Sequence, residues 1–269
     1  MADPIAARLT SSTVVSDNAR PASLVASASL VIAFWWAATG LTLAMQLSEF
    51  ARTTTVIATA LLAVFGAFLV ATSRNDLTPR GARCAFFGAA MIWWWCAAIF
   101  YAGWGSDLTR ADHASAWTLQ LAFEAIAATW RVDAIAVFAL IAIGVAVHNR
   151  VNRLAFWSYA AFWGTLQTAK LNVFFGVRNS GVELLPQRLA GLGAFFGPPR
   201  NSVALPITVA ALATIAILLA QRARRAPDRA DRHAFVILAM LVGLAVVEHV
   251  MLGVSIELPL WNAFLQRGS

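Results

Sequence analysis

Long runs of apolar residues alternate with short polar stretches along almost the whole chain. The apolar runs cover residues 24–47, 54–72, 84–105, 131–148, 154–176, 203–221 and 234–254. A helix needs about 20 apolar residues to cross a bilayer core of about 30 Å, and each run meets or comes close to that length. The pattern therefore predicts an all-α integral membrane protein, a bundle of about seven transmembrane helices.

Two of the polar stretches are longer and carry a helical pattern of their own. In 114–130 and in 184–196, apolar residues recur at spacings of three and four, which marks one face of an α-helix. Pro186 suits the first turn of the second segment, and Gly197 followed by two prolines would end it. Both segments are expected as amphipathic helices on the outer face, either in the membrane interface or packed on the ends of the bundle. The repeating residues are Leu119, Phe123, Ile126 and Trp130, then Leu185, Leu189, Leu192 and Phe196.

Composition agrees with a membrane protein. Hydrophobic residues make up 60% of the chain and charged residues 12%, whereas a soluble domain carries about 25% charged residues. The net charge of +7 lies in short stretches between apolar runs, a pattern of the membrane surface, so no nucleic-acid partner is expected. Cys84 and Cys96 share one apolar run, which favours neither a disulfide framework nor a zinc site.

Charge distribution predicts the topology. Residues 1–22 are expected to be a disordered tail, and 23–269 a single transmembrane helical domain. Seven spans place the N-terminus and the stretches near 73–83, 149–153 and 222–233 on one side, with twelve Lys and Arg against eight on the other. The positive-inside rule assigns the richer side to the cytoplasm. The tail is therefore predicted to be cytoplasmic, and the lipid bilayer is the first partner.

Ionisable residues inside the apolar runs are the candidate functional positions, because each costs about 2.5–3.5 kcal/mol on insertion scales. Asp133, Lys170 and Glu248 are predicted at similar depth in the outer leaflet, with Asn172 nearby. An ion pair of Lys170 with Asp133 or Glu248 is one interpretation; solvated helix ends and a catalytic role are the others. His249 is a candidate axial ligand for a haem or chlorophyll-type pigment, or a hydrogen-bonded histidine. It points about 100° away from Glu248, which disfavours one metal bound by both.

Tryptophans are the other unusual feature. Trp93, Trp94 and Trp95 lie in the middle of the third run, where interfacial aromatic belts do not explain them. They are expected to pack against neighbouring helices, with a flat hydrophobic ligand as the alternative. The chain has no phosphate loop, dinucleotide fingerprint, His-Glu-x-x-His or nucleophile elbow, so no catalytic residue is assigned.

One segment of the chain has a specific motif. Residues 168–179 read Thr-Ala-Lys-Leu-Asn-Val-Phe-Phe-Gly-Val-Arg-Asn, and Leu184, Leu185, Pro186 and Leu189 follow. This segment resembles the signature of the photosynthetic complex assembly protein 2 family, multi-pass membrane proteins of purple phototrophic bacteria associated with reaction-centre H-subunit genes. The residues that carry the resemblance are Lys170, Leu171, Asn172, Gly176, Asn179 and Pro186. Weaker similarity extends to Trp35-Trp36, Trp93, Trp95, Glu248-His249 and Trp261.

The chain also departs from the family pattern. Cys96-Ala97 and Val132-Asp133 stand where the family has His-Glu pairs, and Arg188 stands where its outer loop has a histidine. If those pairs bind a metal or tetrapyrrole in typical members, this chain has lost most of the ligands. The resemblance therefore implies an assembly factor or accessory subunit in a bacterial cytoplasmic or intracytoplasmic membrane, with membrane subunits of a photosynthetic complex as partners. The alternative is a metalloenzyme or pigment-binding protein of tetrapyrrole or lipid metabolism.

Overall fold

The computed structural model describes residues 19–44, 49–104, 119–182 and 185–254, and every regular element in those residues is helical. Each predicted apolar run corresponds to one α-helix, so the all-α membrane bundle is confirmed. The helices are α1 (Ala19–Ala44), α2 (Glu49–Ser73), α3 (Pro79–Tyr101), α4 (Leu119–Ala146), α5 (Leu154–Phe175), α6 (Ala204–Arg225) and α7 (Arg229–Gly253). A 3-10 helix (Gln187–Phe195) lies between α5 and α6.

Six of these helices are long and apolar enough to cross a membrane. The other helix, α5, has 22 residues, a comparable length, but Gln167, Lys170 and Asn172 make it less apolar. It nevertheless lies inside the bundle, because its Tyr159 and Phe162 are buried in the same core as residues of α3 and α7. Of its polar residues, Asn172 is fully buried, whereas Gln167 and Lys170 are half-buried.

Hydrogen bonds at the helix ends show that the helices alternate in direction. At one end, the Asn152 amide donates to the carbonyls of Ser73 and Asp76, at 3.0 and 3.1 Å, and joins the α2–α3 and α4–α5 connections. At the other end, the Asn179 backbone N–H donates to the Leu252 carbonyl at 2.9 Å. We call the first end the arginine-rich face and the second the opposite face. Ser27, near the start of α1, bonds His233, near the start of α7, at 2.9 Å, so the start of α1 and the end of α7 lie on different faces.

The α2–α3 connection is a capped turn outside the membrane-spanning segments. The Thr78 hydroxyl accepts the Gly81 N–H at 3.1 Å and so caps the start of α3. Hydrogen bonds from the Thr78 side chain and from the Thr78 N–H, the latter 2.8 Å from Oδ1, lower the pKa of the Asp76 carboxyl from its ordinary value. Because the bonds favour the charged form, this small stabilisation is present above the unfolded-state pKa and is lost as the pH falls through the folded-state pKa.

The predicted amphipathic helix over 114–130 is wrong as a separate element. Residues from Leu119 onward form the first three turns of α4, a continuous 28-residue helix, and 114–118 lie outside the described residues. Phe123, Ile126 and Trp130 are exposed on its surface. Inside a membrane the backbone hydrogen bonds of a helix cannot be interrupted cheaply, so the helix continues through the charged Arg131.

The second predicted amphipathic helix is a 3-10 helix packed on the bundle. Leu189, Leu192 and Phe195, at the three-residue spacing of a 3-10 helix, are buried against residues of α3, α4 and α5. Leu185 and Phe196 lie just outside this helix, and both are partly buried and pack against the same cluster. Arg188 fixes this helix to the end of α3 because its Nε donates to the Tyr101 carbonyl at 3.1 Å. Of the two expected positions, packing on the bundle end is the one found.

The tryptophan triplet of α3 packs against several helices at once. Trp93 stacks on Phe162 of α5, with ring centroids 6.0 Å apart. The Trp94 indole N–H donates to the Thr42 hydroxyl of α1 at 2.9 Å. Trp95 packs in a cluster that includes Val56 of α2. Helix packing therefore accounts for contacts of all three side chains.

Two glycines let α2 and α3 approach closely. A Cβ atom on Gly88 would lie 2.6 Å from the Gly66 carbonyl oxygen and 2.8 Å from the Val70 side chain. Small residues at helix crossings are typical of membrane proteins, where close packing replaces the hydrophobic effect as the main attraction between helices.

We predict that Gly88→Ala lowers the free energy of unfolding by about 1–3 kcal/mol, the usual cost of overpacking. Gly243→Ala is the matched control because nothing lies within 4 Å of its added Cβ. The control is expected to be neutral or slightly stabilising, since alanine favours helix over glycine. Tryptophan fluorescence during reversible denaturation in mixed micelles measures the free energy of unfolding of both variants. Equal stability of the two variants would contradict the close crossing.

Candidate functional site

An ion pair joins α4 and α5. Lys170 Nζ lies 2.7 Å and 2.9 Å from the two carboxylate oxygens of Asp133. Gln167 Nε2 donates to Oδ1 at 3.0 Å, and the Thr129 hydroxyl donates to Oδ2 at 2.9 Å. Thr129 and Asp133 are four residues apart on α4, and Gln167 and Lys170 are three apart on α5, so each pair shares one helix face. The Asp133 carboxylate is thereby satisfied from both helices.

Lys170 also contacts a third helix. Its ammonium group lies 5.7 Å from the ring centroid of Phe100 on α3, within the range of a cation–π interaction. The side chains of Lys170 and Asp133 are 28% and 27% exposed, so the pair lies at the edge of the bundle. This contact therefore ties together three neighbouring helices near the opposite face.

Glu248 bonds a tryptophan and not Lys170, the partner that one of the two predicted ion pairs would have given it. The Trp35 indole N–H on α1 donates to Glu248 Oε1 at 2.7 Å. Glu248 thus links α7 to α1, on the surface of the bundle, whereas Lys170 pairs with Asp133. Predicted depth suggested both pairings of Lys170, and the one with Asp133 is found.

His249 is fully buried between α7 and α5. Its Nδ1 lies 2.7 Å from the Ala245 carbonyl oxygen, which only accepts, so Nδ1 carries a proton. Its Nε2 lies 2.9 Å from the Thr168 hydroxyl. Both ring nitrogens are therefore occupied by protein atoms. An axial bond from Nε2 to a haem or bacteriochlorophyll would require that the Thr168 contact break.

Asn172 is buried beside this histidine contact. Its amide nitrogen donates to the Thr168 carbonyl at 3.0 Å and to the Thr208 hydroxyl of α6 at 2.8 Å. Its Oδ1 has no hydrogen-bond partner among the described residues. Thr168, Asn172, Thr208 and His249 form a polar seam that joins α5, α6 and α7. The predicted cluster of Asp133, Lys170, Asn172 and Glu248 is thus divided among separate contacts.

The remaining motif residues hold the ends of helices together. Gly176 adopts φ +108°, and a Cβ there would lie 2.6 Å from the Pro198 carbonyl oxygen. Asn179 donates from its side chain to the Met251 carbonyl at 3.2 Å. Pro186 caps the 3-10 helix, and its carbonyl accepts the Leu189 N–H at 2.7 Å. Leu171, by contrast, is exposed on α5.

Asn201 is a structural residue that the sequence analysis missed. Its amide nitrogen donates to the Gly253 carbonyl at 2.8 Å, and its Oδ1 accepts the Arg178 N–H at 3.0 Å. Together with Asn179 it satisfies carbonyls at the C-terminus of α7, which have no partner within that helix. The only sequence signal for it is its place after the two prolines.

The positions where the family pattern has ligands carry other contacts here. The Cys96 thiol lies 3.3 Å from the Tyr159 hydroxyl. Within the described ranges, His, Cys, Asp and Glu residues form no group of three or more placed to hold a metal ion.

Comparison with known proteins places the chain in a family. Residues 22–268 match the family described as "Protein of unknown function (DUF3623)". The chain belongs to this family. The chain is 28% identical over 223 residues to the "Uncharacterized 30.4 kDa protein in puhA 5'region" of Rhodobacter capsulatus. The aligned region covers 80% of this chain and 81% of the relative. No solved structure matches the chain.

We predict that Lys170→Met and Asp133→Asn each lower the free energy of unfolding by about 2–3 kcal/mol, since each leaves a charge without its counter-charge in an apolar medium. The double variant should lose less than the sum, with a coupling energy of about 0.5–3 kcal/mol. Glu124→Gln is the control, because Glu124 accepts a hydrogen bond from Gln120 on the same helix. Denaturation of the wild type, both single variants and the double variant in mixed micelles measures these free energies of unfolding. Strictly additive losses of stability in the double variant would contradict the pairing.

Proposed function

We propose that the chain is a non-catalytic membrane protein that acts as an assembly factor or accessory subunit of a bacterial photosynthetic complex. The observation that carries the proposal is the relative whose name places it 5′ of puhA, in the reaction-centre H-subunit gene region. The motif that includes Lys170, Asn172 and Gly176 points to the same class of proteins.

The geometry of the polar residues supports a scaffold over an enzyme. Asp133 is satisfied by Lys170, Gln167 and Thr129, and both ring nitrogens of His249 are occupied. A catalytic site needs groups that converge on a space where substrate can react. These groups bind one another and join helices. Their role in this proposal is to hold a bundle whose apolar faces meet lipid and partner subunits.

The proposal includes a location and an orientation. The arginine-rich face carries Arg74, Arg80, Arg83, Arg150 and Arg153, and the last turn of α6 adds three more arginines. By the positive-inside rule this face lies in the cytoplasm, and with it the N-terminus. The membrane is the cytoplasmic or intracytoplasmic membrane of a phototrophic bacterium.

Co-purification together with gene deletion tests the proposed function. A tagged full-length chain, extracted from native membranes in a mild detergent, should carry reaction-centre or light-harvesting subunits at least tenfold above a tagged unrelated multi-pass protein. A deletion strain should contain less of these complexes by near-infrared absorption. A lone monomer together with unchanged complexes in the deletion strain would refute the proposal.

A pigment-binding protein or metalloenzyme of tetrapyrrole or lipid metabolism is the second candidate. The observation that favours it is the position of Glu248 at the bundle surface, beside His249 in sequence and bonded to Trp35. The discriminating measurement is the absorption spectrum and metal content of gently purified protein, compared with His249→Phe and Glu248→Gln. A stoichiometric pigment or metal that either substitution removes would favour this candidate over the scaffold.

A further inference from the structure

Glu248 is a carboxylate on the lipid-facing surface of the bundle. Of its two oxygens, Oε1 accepts the Trp35 indole N–H, and no described residue donates a hydrogen bond to Oε2. The flanking residues on α7, Val247 and Val250, are exposed at 51% and 45%. On α1, the neighbours Ile32 and Trp36 are exposed as well. An acidic group thus lies in an otherwise apolar face formed by α1 and α7.

The depth of Glu248 makes this exposure costly. It lies five residues before the end of α7 at Gly253, which corresponds to about 8 Å along the helix. Acyl chains at that depth offer no hydrogen-bond donors, and a carboxylate there is expensive unless it is paired. Lys170, the only lysine in the chain, is bound to Asp133. The described part of the bundle therefore gives Glu248 one neutral donor and no cation.

We propose that the α1–α7 face around Glu248 binds a transmembrane helix of another subunit, and that a basic side chain of that helix pairs with the Glu248 carboxylate. Charge complementarity selects this occupant: a cation at the same depth would supply what lipid chains cannot, and apolar residues on both helices would pack beside it. The identity of the partner as a subunit of a photosynthetic complex rests on the proposed function.

The test compares variants of the tagged full-length chain in native membranes. Glu248→Gln keeps an acceptor for Trp35 and removes the charge, so co-purified subunits should fall at least tenfold. Glu124→Gln, which alters a carboxylate on α4 that is already bonded to Gln120, should leave recovery within twofold of wild type. Yield and monodispersity of each variant establish that it folds.

A second experiment, photo-cross-linking, does not require that the Glu248→Gln variant fold. A photoreactive phenylalanine at Val250 should cross-link to a transmembrane peptide of a photosynthetic subunit that contains Arg, Lys or His, and the same probe at Phe138 on α4 should not. Cross-links only to lipid, or to a second copy of this chain, would overturn the inference.

The outcomes separate the two proposals. If wild-type protein carries no photosynthetic subunits, the proposed function fails and this inference fails with it. If wild-type protein and Glu248→Gln carry them equally, the docking face is refuted while the proposed function stands.

Discussion

The ion pair between Lys170 and Asp133 is the contact on which the arrangement of the central helices depends. In hydrocarbon each charge alone would oppose insertion, and together, with Gln167 and Thr129, they bind α4 to α5. The other polar side of α5 faces away from this pair, where Asn172 bonds α6. Gln167, Lys170 and the Asn172 amide nitrogen, three polar groups of α5, thus find partners on neighbouring helices.

The opposite face is closed by backbone geometry instead of charge. Gly176 turns the chain sharply after α5, and Asn179 and Asn201 satisfy carbonyls at the end of α7. The 3-10 helix between them covers the ends of α3, α4 and α5 at this face. The segment that most resembles the assembly-protein family is thus the one that joins these helix ends. Its conspicuous residues have structural tasks, which fits a protein that works by presenting a rigid surface.

Most of the fold could be predicted from the sequence because the bilayer sets the length of each span. The seven runs and the alternation of helix ends follow from that constraint. The segment 114–130 was predicted as an element separate from the apolar run that begins at residue 131, but its residues from Leu119 onward belong to α4. Arg131 instead lies over the Trp130 ring, 5.9 Å from its centroid, within a continuous helix. The positions of Asp133, Lys170 and Glu248 along their helices allowed two pairings of Lys170, and the rotation of each helix about its axis, which decides between them, could not be read from the sequence.

The distance between Lys170 Nζ and the Asp133 side-chain carboxyl carbon in lipid bilayers tests the central claim most directly. Lys170 is the only lysine in the chain, so ¹⁵N-labelled lysine gives a single ammonium signal. Solid-state dipolar recoupling to ¹³C-labelled aspartate, with Asp133→Asn to assign the signal, measures the distance. With Nζ 2.7 Å from a carboxylate oxygen, the account predicts a nitrogen–carbon distance below about 4 Å. An ammonium that extends to the membrane surface, with no aspartate carbon within about 6 Å, would contradict it.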